Sequence, residues 1–499
     1  MKLSSFALAS LSLAIAQALP LAAPEQQVLN IASFEGADLP EVDTAALQAL
    51  ITEEALRERA ETLYEIATKS EKKFGHPTRV IGSKGHWSTI DYIKKEIHKL
   101  HGYYNVSVQA LPATVSETNA FDTLINGTKP ESLTDFSLSP PTPNKDFVTG
   151  PLVVVANNGC DLSDFPEDTS GSVVLIKRGV CTFTQKSVNA GKLGALASII
   201  YNNEDGEVRG SLGGAPPDAV VAPTVGISKK DGEKYVSLLS QGPLSASVLV
   251  DSYIATIKTL NVIAETVDGD GDNIVMLGAH SDSVTAGPGI NDDGSGTISL
   301  LEVAKQLTKF KVNNKVRFAW WAAEEEGLIG SNYYAEHLSP EENQKIRLFM
   351  DYDMMASPNY EYEVYNASNA LNPVGSEELK NLYIDYYESK GLDYVLIPFD
   401  GRSDYVGFIE NGIPGGGIAA GAEKKNAFNG EVLDRCYHSL CDDVSNLAFD
   451  AFLINTQLIA HSVATYAKSL ADFPVRQKSA SVMAETANNF KYRGGQLVI

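Results

Sequence analysis

The sequence predicts an α/β fold: a mostly parallel central sheet flanked by helices, interrupted by an inserted β-rich domain. Three observations carry this reading. From residue 259 onward, runs that read as strands (274–279, 316–322, 346–354) alternate with runs that read as helices (297–310, 331–338). Parallel strands must be joined by crossovers, and helical crossovers produce this βαβα rhythm. Ahead of it, a Pro- and Ser-rich stretch at 132–146 breaks the chain, and short β-rich runs follow at 150–157, 172–178 and 197–202. A chain of 499 residues is long enough for two or three domains and a large core.

Taken in order, residues 1–18 (MKLSSFALASLSLAIAQA) combine one lysine, an apolar core and an Ala16-x-Ala18 cleavage pattern, which reads as a secretory signal. Residues 19–75 begin Pro/Ala-rich and acidic and become helix-like from Thr44, with Leu47, Leu50, Ile51 and Leu56 at helical spacing. A cleaved propeptide is the expectation for 19–75. The main domain is expected over 76–115 and 250–475. It opens with a loop and an amphipathic helix in 77–100 that sets Ile90, Tyr92, Ile93 and Ile97 on its core side, followed by a strand at 104–111. The insert is expected over 116–249, where 183–193 reads as a helix between two strands, a βαβ unit with Cys181 just before the helix. Helices at 375–390 and 449–469 complete the main domain, and 476–499 reads as a polar tail. No internal repeat or low-complexity tract is present.

Composition narrows the function classes. Lys and Arg number 40 against 63 Asp and Glu, a net charge of −23 that repels nucleic acid and anionic membranes. No apolar run after residue 18 approaches the ~20 residues of a membrane-spanning helix. The four cysteines fall into two local pairs, so the expected disulfides are Cys160–Cys181 and Cys436–Cys441. Sequons at Asn105, Asn126 and Asn366 carry meaning in an exported chain. The expectation is a secreted, extracellular, soluble protein that acts as a monomer.

Chemistry concentrates at strand ends and the loops after them. His280 closes one apolar run, Asp292 lies in the following Gly-rich loop, Glu324, Glu325 and Glu326 follow FAWWAA, Asp353 sits in MDYDM, and His438 in CYHSLC. Each alone is compatible with a structural role. Together, imidazoles and carboxylates delivered by separate strand ends are what zinc prefers. Two histidines and three carboxylates suffice for two zinc ions sharing a bridging carboxylate, with one glutamate left over as a base. Asp282, two residues after His280, fits a carboxylate that orients that imidazole. Asp293 and Asp351 read as loop-shaping. Neither Gly-x-Ser-x-Gly nor His-Glu-x-x-His occurs, which removes the usual serine-hydrolase and single-zinc protease signatures.

Two resemblances follow from these stretches. VVLIKRGVCTFTQKSVNAGKLGALASIIYNN resembles the protease-associated domain, which implies a lid or substrate-gating role for the insert. AHSDSV, GPGINDDGSG, WWAAEEEGLIGS, DYDMMASPN, FDGRSDY and CYHSLCD occur in order and resemble the co-catalytic dizinc aminopeptidases, most closely the secreted fungal leucine aminopeptidases, over about residues 80–470. The resemblance implies a zinc-exopeptidase-like fold with two Zn²⁺ ions. His280 and Asp353 would bind one ion, Glu325 and His438 the other, and Asp292 both. Glu324 would be the general base, and Tyr437 would help stabilise the oxyanion. Glu326 stands where relatives often carry leucine, and the Glu-Gly-Leu-Ile-Gly-Ser continuation settles the register. An unusual peptide geometry around Asp292–Asp293 is also implied.

The expected activity is removal of N-terminal residues, preferentially apolar ones such as leucine, from peptides with a free N-terminus. The alternatives are a carboxypeptidase or other amidohydrolase on the same scaffold, or an inactive receptor or binding homologue.

Overall fold

The computed structural model describes residues 27–28 and 39–476, apart from 101, 209, 214 and 217. The expected signal at 1–18 and, after Arg476, the tail expected at 476–499 lie outside the described residues.

The strand Asp270–His280 is the middle of the main sheet, and residues 274–280 are buried throughout. Val275 and Leu277 enter the core on one face while Ile274 and Met276 enter the core on the other. This is the period-two alternation of a strand covered on both sides. It pairs in parallel with Asn314–Trp321, His280 opposite Trp321, and with Ile346–Tyr352, Leu277 opposite Met350. Gly415–Ala419 continues the parallel set beside Ile346–Tyr352. Antiparallel strands flank it, Ser245–Thr266 along Asn314–Trp321 and Glu363–Tyr365 along Gly415–Ala419. The carboxyl ends of the parallel strands therefore emerge along one edge, where open α/β sheets bind ligands.

On one face the helices Glu53–Thr68, Lys84–His98, Gly294–Leu307, Ser376–Ser389 and Phe449–Lys468 supply Leu63, Ile93, Leu300, Tyr383 and Leu458 to the larger core. On the other face lie Ile329–Glu336 and Tyr405–Glu410, where Phe408 stacks on Phe349 with ring centroids 3.7 Å apart. Each fully buried aliphatic or aromatic side chain contributes ~1.5–3 kcal/mol. These cores hold the strand ends in place.

The N-terminal region is helical from Thr44, as its spacing predicts, and packs on the main domain. Helix Glu53–Thr68 starts at Thr52, whose hydroxyl accepts from the Ala55 N–H, and buries Leu56, Ala60, Leu63 and Ala67. Arg59 donates to the fully buried Glu302 at 2.9 Å, across to the helix that follows the Asp292 loop. Losing one partner of a buried ion pair costs ~3–5 kcal/mol, because the other charge stays in the core. Within the stretch 19–75 expected as a propeptide, Val42, Leu47, Ile51, Leu56, Ala60 and Leu63 thus pack into the larger core of the main domain.

The insert is joined more continuously than a boundary at 115/116 implies. Tyr104–Ile125 and Ser245–Thr266 pair antiparallel along their whole length, from Tyr104 opposite Thr266 to Ile125 opposite Ala246. One two-stranded ribbon thus runs from the main sheet into the insert. Its far end joins Val148–Val154, which leads through the parallel strands Val173–Lys177, Ala197–Tyr201 and the parallel Thr224–Ile227. Helix Phe183–Lys192 connects the middle pair, as the βαβ reading expects.

Candidate metal centre

Asp292 stands between two imidazoles. Its Oδ1 is 3.2 Å from His280 Nε2, and its Oδ2 is 3.1 Å from His438 Nε2. Asp353 Oδ1 lies 3.8 Å from His280 Nε2, while Glu325 Oε2 lies 3.1 Å from His438 Nε2. Glu324 Oε2 is 3.8 Å from His280 Nε2. The six side chains therefore converge in two groups with Asp292 common to both.

Other carboxylates hold the backbone that presents these groups. Asp293 also comes within 4.8 Å of His280 and Asp353, but its oxygens accept from the backbone N–H groups of His280 (3.0 Å), Gly296 (2.9 Å) and Met354 (3.1 Å). It caps the helix Gly294–Leu307 and ties together three elements, the loop-shaping part expected of it. The Asp292–Asp293 peptide bond is cis. Asp282 accepts from the Glu324 and Glu325 N–H groups at 3.3 and 3.4 Å and so positions the glutamate turn; it lies 3.8 Å from His280 Nδ1, beyond hydrogen-bond reach. Asp351 accepts from the Tyr405 N–H at 3.3 Å.

Two supports have no counterpart in the sequence reading. Asp442, directly after Cys441, accepts from the Asn291 and Asp292 N–H groups at 2.9 and 3.1 Å, joining the His438 loop to the Asp292 loop. Arg79, fully buried, donates to the carbonyls of Ser281, Pro288 and Gly289 and gathers the loop after His280. The final aspartate of CYHSLCD was an available signal for Asp442; a single arginine in a loop offered none.

Electrostatically the cluster lacks positive charge. Burial lowers the proton affinity of His280, yet Glu324, Asp292 and Asp353 outweigh it and hold the imidazole well above its ordinary pKa. Burial opposes protonation of His438 too, and Glu325 with Asp292 pushes it up to about 10. The carboxyls of Glu324, Glu325 and Asp353 are raised, first by burial, Asp353 to about 6. Glu325 Oε1 and Asp353 Oδ1 are buried with no hydrogen-bond partner. Imidazoles and partnerless carboxylates at this density fit a bound divalent cation, and the donor types are those of zinc.

Comparison with known proteins agrees with this geometry. The model of Peptidase family M28 matches residues 261–463, which include every residue of the cluster, and that of the PA domain matches 148–235. Aminopeptidase Y of Saccharomyces cerevisiae is 54% identical over 474 residues, covering 92% of this chain and 88% of that protein. The chain belongs to peptidase family M28. Leucine aminopeptidase 2 of Trichophyton equinum is 44% identical over 419 residues, covering 81% of this chain and 83% of that one. Among solved structures, an aminopeptidase from Aneurinibacillus sp. strain AM-1 superposes with a TM-score of 0.73 at 26% identity, covering 88% of this chain and 99% of that chain. A zinc aminopeptidase from Bacillus subtilis gives 0.60 at 27% identity, covering 83% and 96%.

In this M28 chain the cluster opens into a pocket walled by Met354, Tyr365, Ile397 and Pro398, with Glu363, Asp400, Arg402 and Lys424 adding charge. Asp400 and Arg402 lie in the FDGRSDY motif; the pocket lining itself comes from loops that the sequence does not place. Glu363 is pushed up to about 7, first by burial and then by Glu361. Tyr437 stacks on His438 with centroids 3.8 Å apart, and its hydroxyl accepts from Arg402 Nη2 at 3.1 Å. Arg402 is held by Glu423 through two bonds of 2.9 and 3.1 Å. Both expected disulfides are present, Cys160–Cys181 and Cys436–Cys441. Asn105, Asn126 and Asn366 are all exposed. Among the described residues, no helix is long and apolar enough to cross a membrane.

Proposed function

We propose that this chain is an exported zinc aminopeptidase that removes N-terminal residues from peptides and works with two zinc ions. The observation that carries the reading is Asp292, with one carboxylate oxygen facing each imidazole. His280 and Asp353 would hold one ion and Glu325 and His438 the other, with Asp292 bridging. Bound zinc supplies a polarised scissile carbonyl and a water of lowered pKa. Glu324 takes the proton of the attacking water and delivers it to the leaving amine; a buried carboxylate with raised proton affinity suits that exchange. Tyr437, its oxygen already accepting from Arg402, has its own O–H free to donate to the oxygen that gains charge. The carboxylates around the centre attract the substrate's α-ammonium group, which favours cutting at a free N-terminus.

The apolar wall fits a leucine side chain. Glu363 in the same wall favours a second reading in which a basic N-terminal residue is also accepted. The filled cluster argues against an inactive receptor. Export, glycans on Asn105, Asn126 and Asn366, and a monomeric state belong to the same proposal. So do removal of a propeptide within 19–75 and the insert acting as a lid.

A panel of leucyl, lysyl and glutamyl p-nitroanilides, run beside matched free and N-acetylated peptides with and without a chelator, tests this. The expected result is chelator-sensitive hydrolysis of free substrates and none of acetylated ones. Degradation of the acetylated peptides would overturn the aminopeptidase reading in favour of an amidohydrolase or carboxypeptidase.

A further inference from the structure

The turn that carries Glu324 and Glu325 is gripped from the side of the insert. It leaves strand Asn314–Trp321 and closes on itself: the N–H groups of Gly327 and Leu328 donate to the Glu324 carbonyl at 2.8 and 2.7 Å, and that of Ile329 to the Ala323 carbonyl at 2.9 Å. Ala323 and Leu328 are left-handed, φ 64° and 57°, a conformation that a non-glycine residue keeps only where its surroundings impose it.

Those surroundings are the two-stranded ribbon and the insert it carries. Asn261, fully buried on Ser245–Thr266, accepts from the Ala322 N–H at 3.0 Å and donates from Nδ2 to the Gly330 carbonyl at 2.9 Å. One amide thus holds the chain just before the turn and just after it. The same Nδ2 donates to Gln109 Oε1 at 3.0 Å, directly across the ribbon. A buried amide costs free energy unless its bonds are made, and two of these three are made to the ends of the glutamate turn. Ala323 also lies in an apolar cluster with Ala113, Val115 and Ile257 of the ribbon. At the apex the insert itself arrives: a Cβ placed on Gly213 would stand 3.3 Å from the Glu326 carbonyl oxygen, and Thr184 Oγ1 donates to the Gly213 carbonyl at 2.8 Å.

We propose that Asn261 is a positioning residue for Glu324, and that Gly213 braces the same turn from the insert. A general base acts only within hydrogen-bond reach of its proton, and a displacement of ~1 Å costs about 10² in rate. The inference rests on the aminopeptidase reading and deepens it, since the insert then acts on the base as well as over the pocket.

Steady-state kinetics on leucyl p-nitroanilide and on a longer peptide with N-terminal leucine, with zinc content and thermal unfolding measured on the same preparations, tests this. Asn261→Asp keeps an oxygen for the Ala322 N–H and loses the donor to Gly330 and Gln109. It is expected to lower kcat per zinc-loaded chain about ten-fold or more while KM stays within about two-fold of wild type. Gly213→Ala and Gly213→Val press on the Glu326 carbonyl from the other side, and the backbone at Gly213 is not left-handed, so it admits a side chain. They should lower kcat about 3-fold and about 10-fold, equally on both substrates. Gly242→Val is the control on the same insert, because a Cβ there meets nothing within 4 Å, and it should leave kcat unchanged. The Gly213 pair keeps the proposal testable should Asn261→Asp misfold. An Asn261→Asp protein that unfolds at lower temperature but keeps wild-type kcat per zinc-loaded chain would overturn the proposal, since the amide would then support only the fold. Gly213→Val with unchanged kcat, or with a loss confined to KM or to the longer peptide as a gate would give, would overturn it too. Failure of the underlying reading looks different: wild-type enzyme would leave both unblocked substrates intact while degrading an N-acetylated peptide.

Discussion

The two histidines of the candidate centre are held in place by different parts of the fold. His280 ends the central strand, with only 1% of its side chain exposed. Its N–H is fixed by Asp293, and its carbonyl accepts from Thr297 at 2.6 Å. His438 sits on a loop in a left-handed conformation, φ 55°, with 37% of its side chain exposed. What restrains it is the five-residue separation closed by Cys436–Cys441 and the grip of Asp442 on Asn291 and Asp292. One half of the site is part of the sheet; the other is attached by a strap. Damage at the first should reach the fold, whereas damage at the second should stop at the metal and the substrate.

The most severe way to break this comparison is to remove what both halves serve. Glu324→Gln should lower kcat by about 10²–10⁴ while leaving zinc content unchanged, as expected of a proton carrier that is not a ligand. Steady-state turnover beside metal analysis decides it, and near-wild-type kcat would remove Glu324 from that role.

Acid should separate the halves next. His86 is fully buried behind the His280 strand, its Nε2 3.1 Å from Ser281 Oγ, and burial lowers it to about 4. The unfolded chain, with an ordinary imidazole near ~6.5, takes up the proton first as the pH falls. The stability from keeping His86 neutral is therefore complete above that pH and is lost on the way down to about 4, up to ~3 kcal/mol in all. Urea midpoints between about pH 7 and about pH 4.5 should fall more for wild-type protein than for His86→Asn. Equal falls would contradict this assignment.

The smallest expected effect sharpens the comparison from the strap side. Replacing both Cys436 and Cys441 with serine should weaken metal binding about 10–100-fold, the usual scale for losing an outer support. Thermal unfolding of the metal-free protein should change little. A large loss of fold stability would mean that the strap carries structure as well.

How much of this was legible depended on distance along the chain. The strand leading to His280 is a local apolar run, and Asp292, Glu324, Glu325 and Asp353 follow strand ends within short loops. Arg79, by contrast, acts on Ser281, 202 residues away, and Asp442 on Asn291, 151 residues away. A lone charged residue in a loop has no periodicity to betray such a partner. In helix Glu53–Thr68 the buried Leu56, Ala60, Leu63 and Ala67 form a narrow stripe among acidic and basic residues, so the sequence shows a helix but not its packing partner. Nothing in the local sequence marks Arg59 as the partner of Glu302, 243 residues away. The ribbon beyond residue 111 was missed because residues 114–122 are half-buried or exposed on both faces, leaving little of the alternation a half-buried strand displays.

Zinc content per chain, measured on wild-type, His438→Ala and His280→Ala proteins after equilibration with zinc, tests the central claim most directly. The account predicts two ions in wild-type protein, one in a fully folded His438→Ala chain, and loss of both metal and thermal stability in His280→Ala. A single ion in wild-type protein, or equal consequences for the two substitutions, would contradict it.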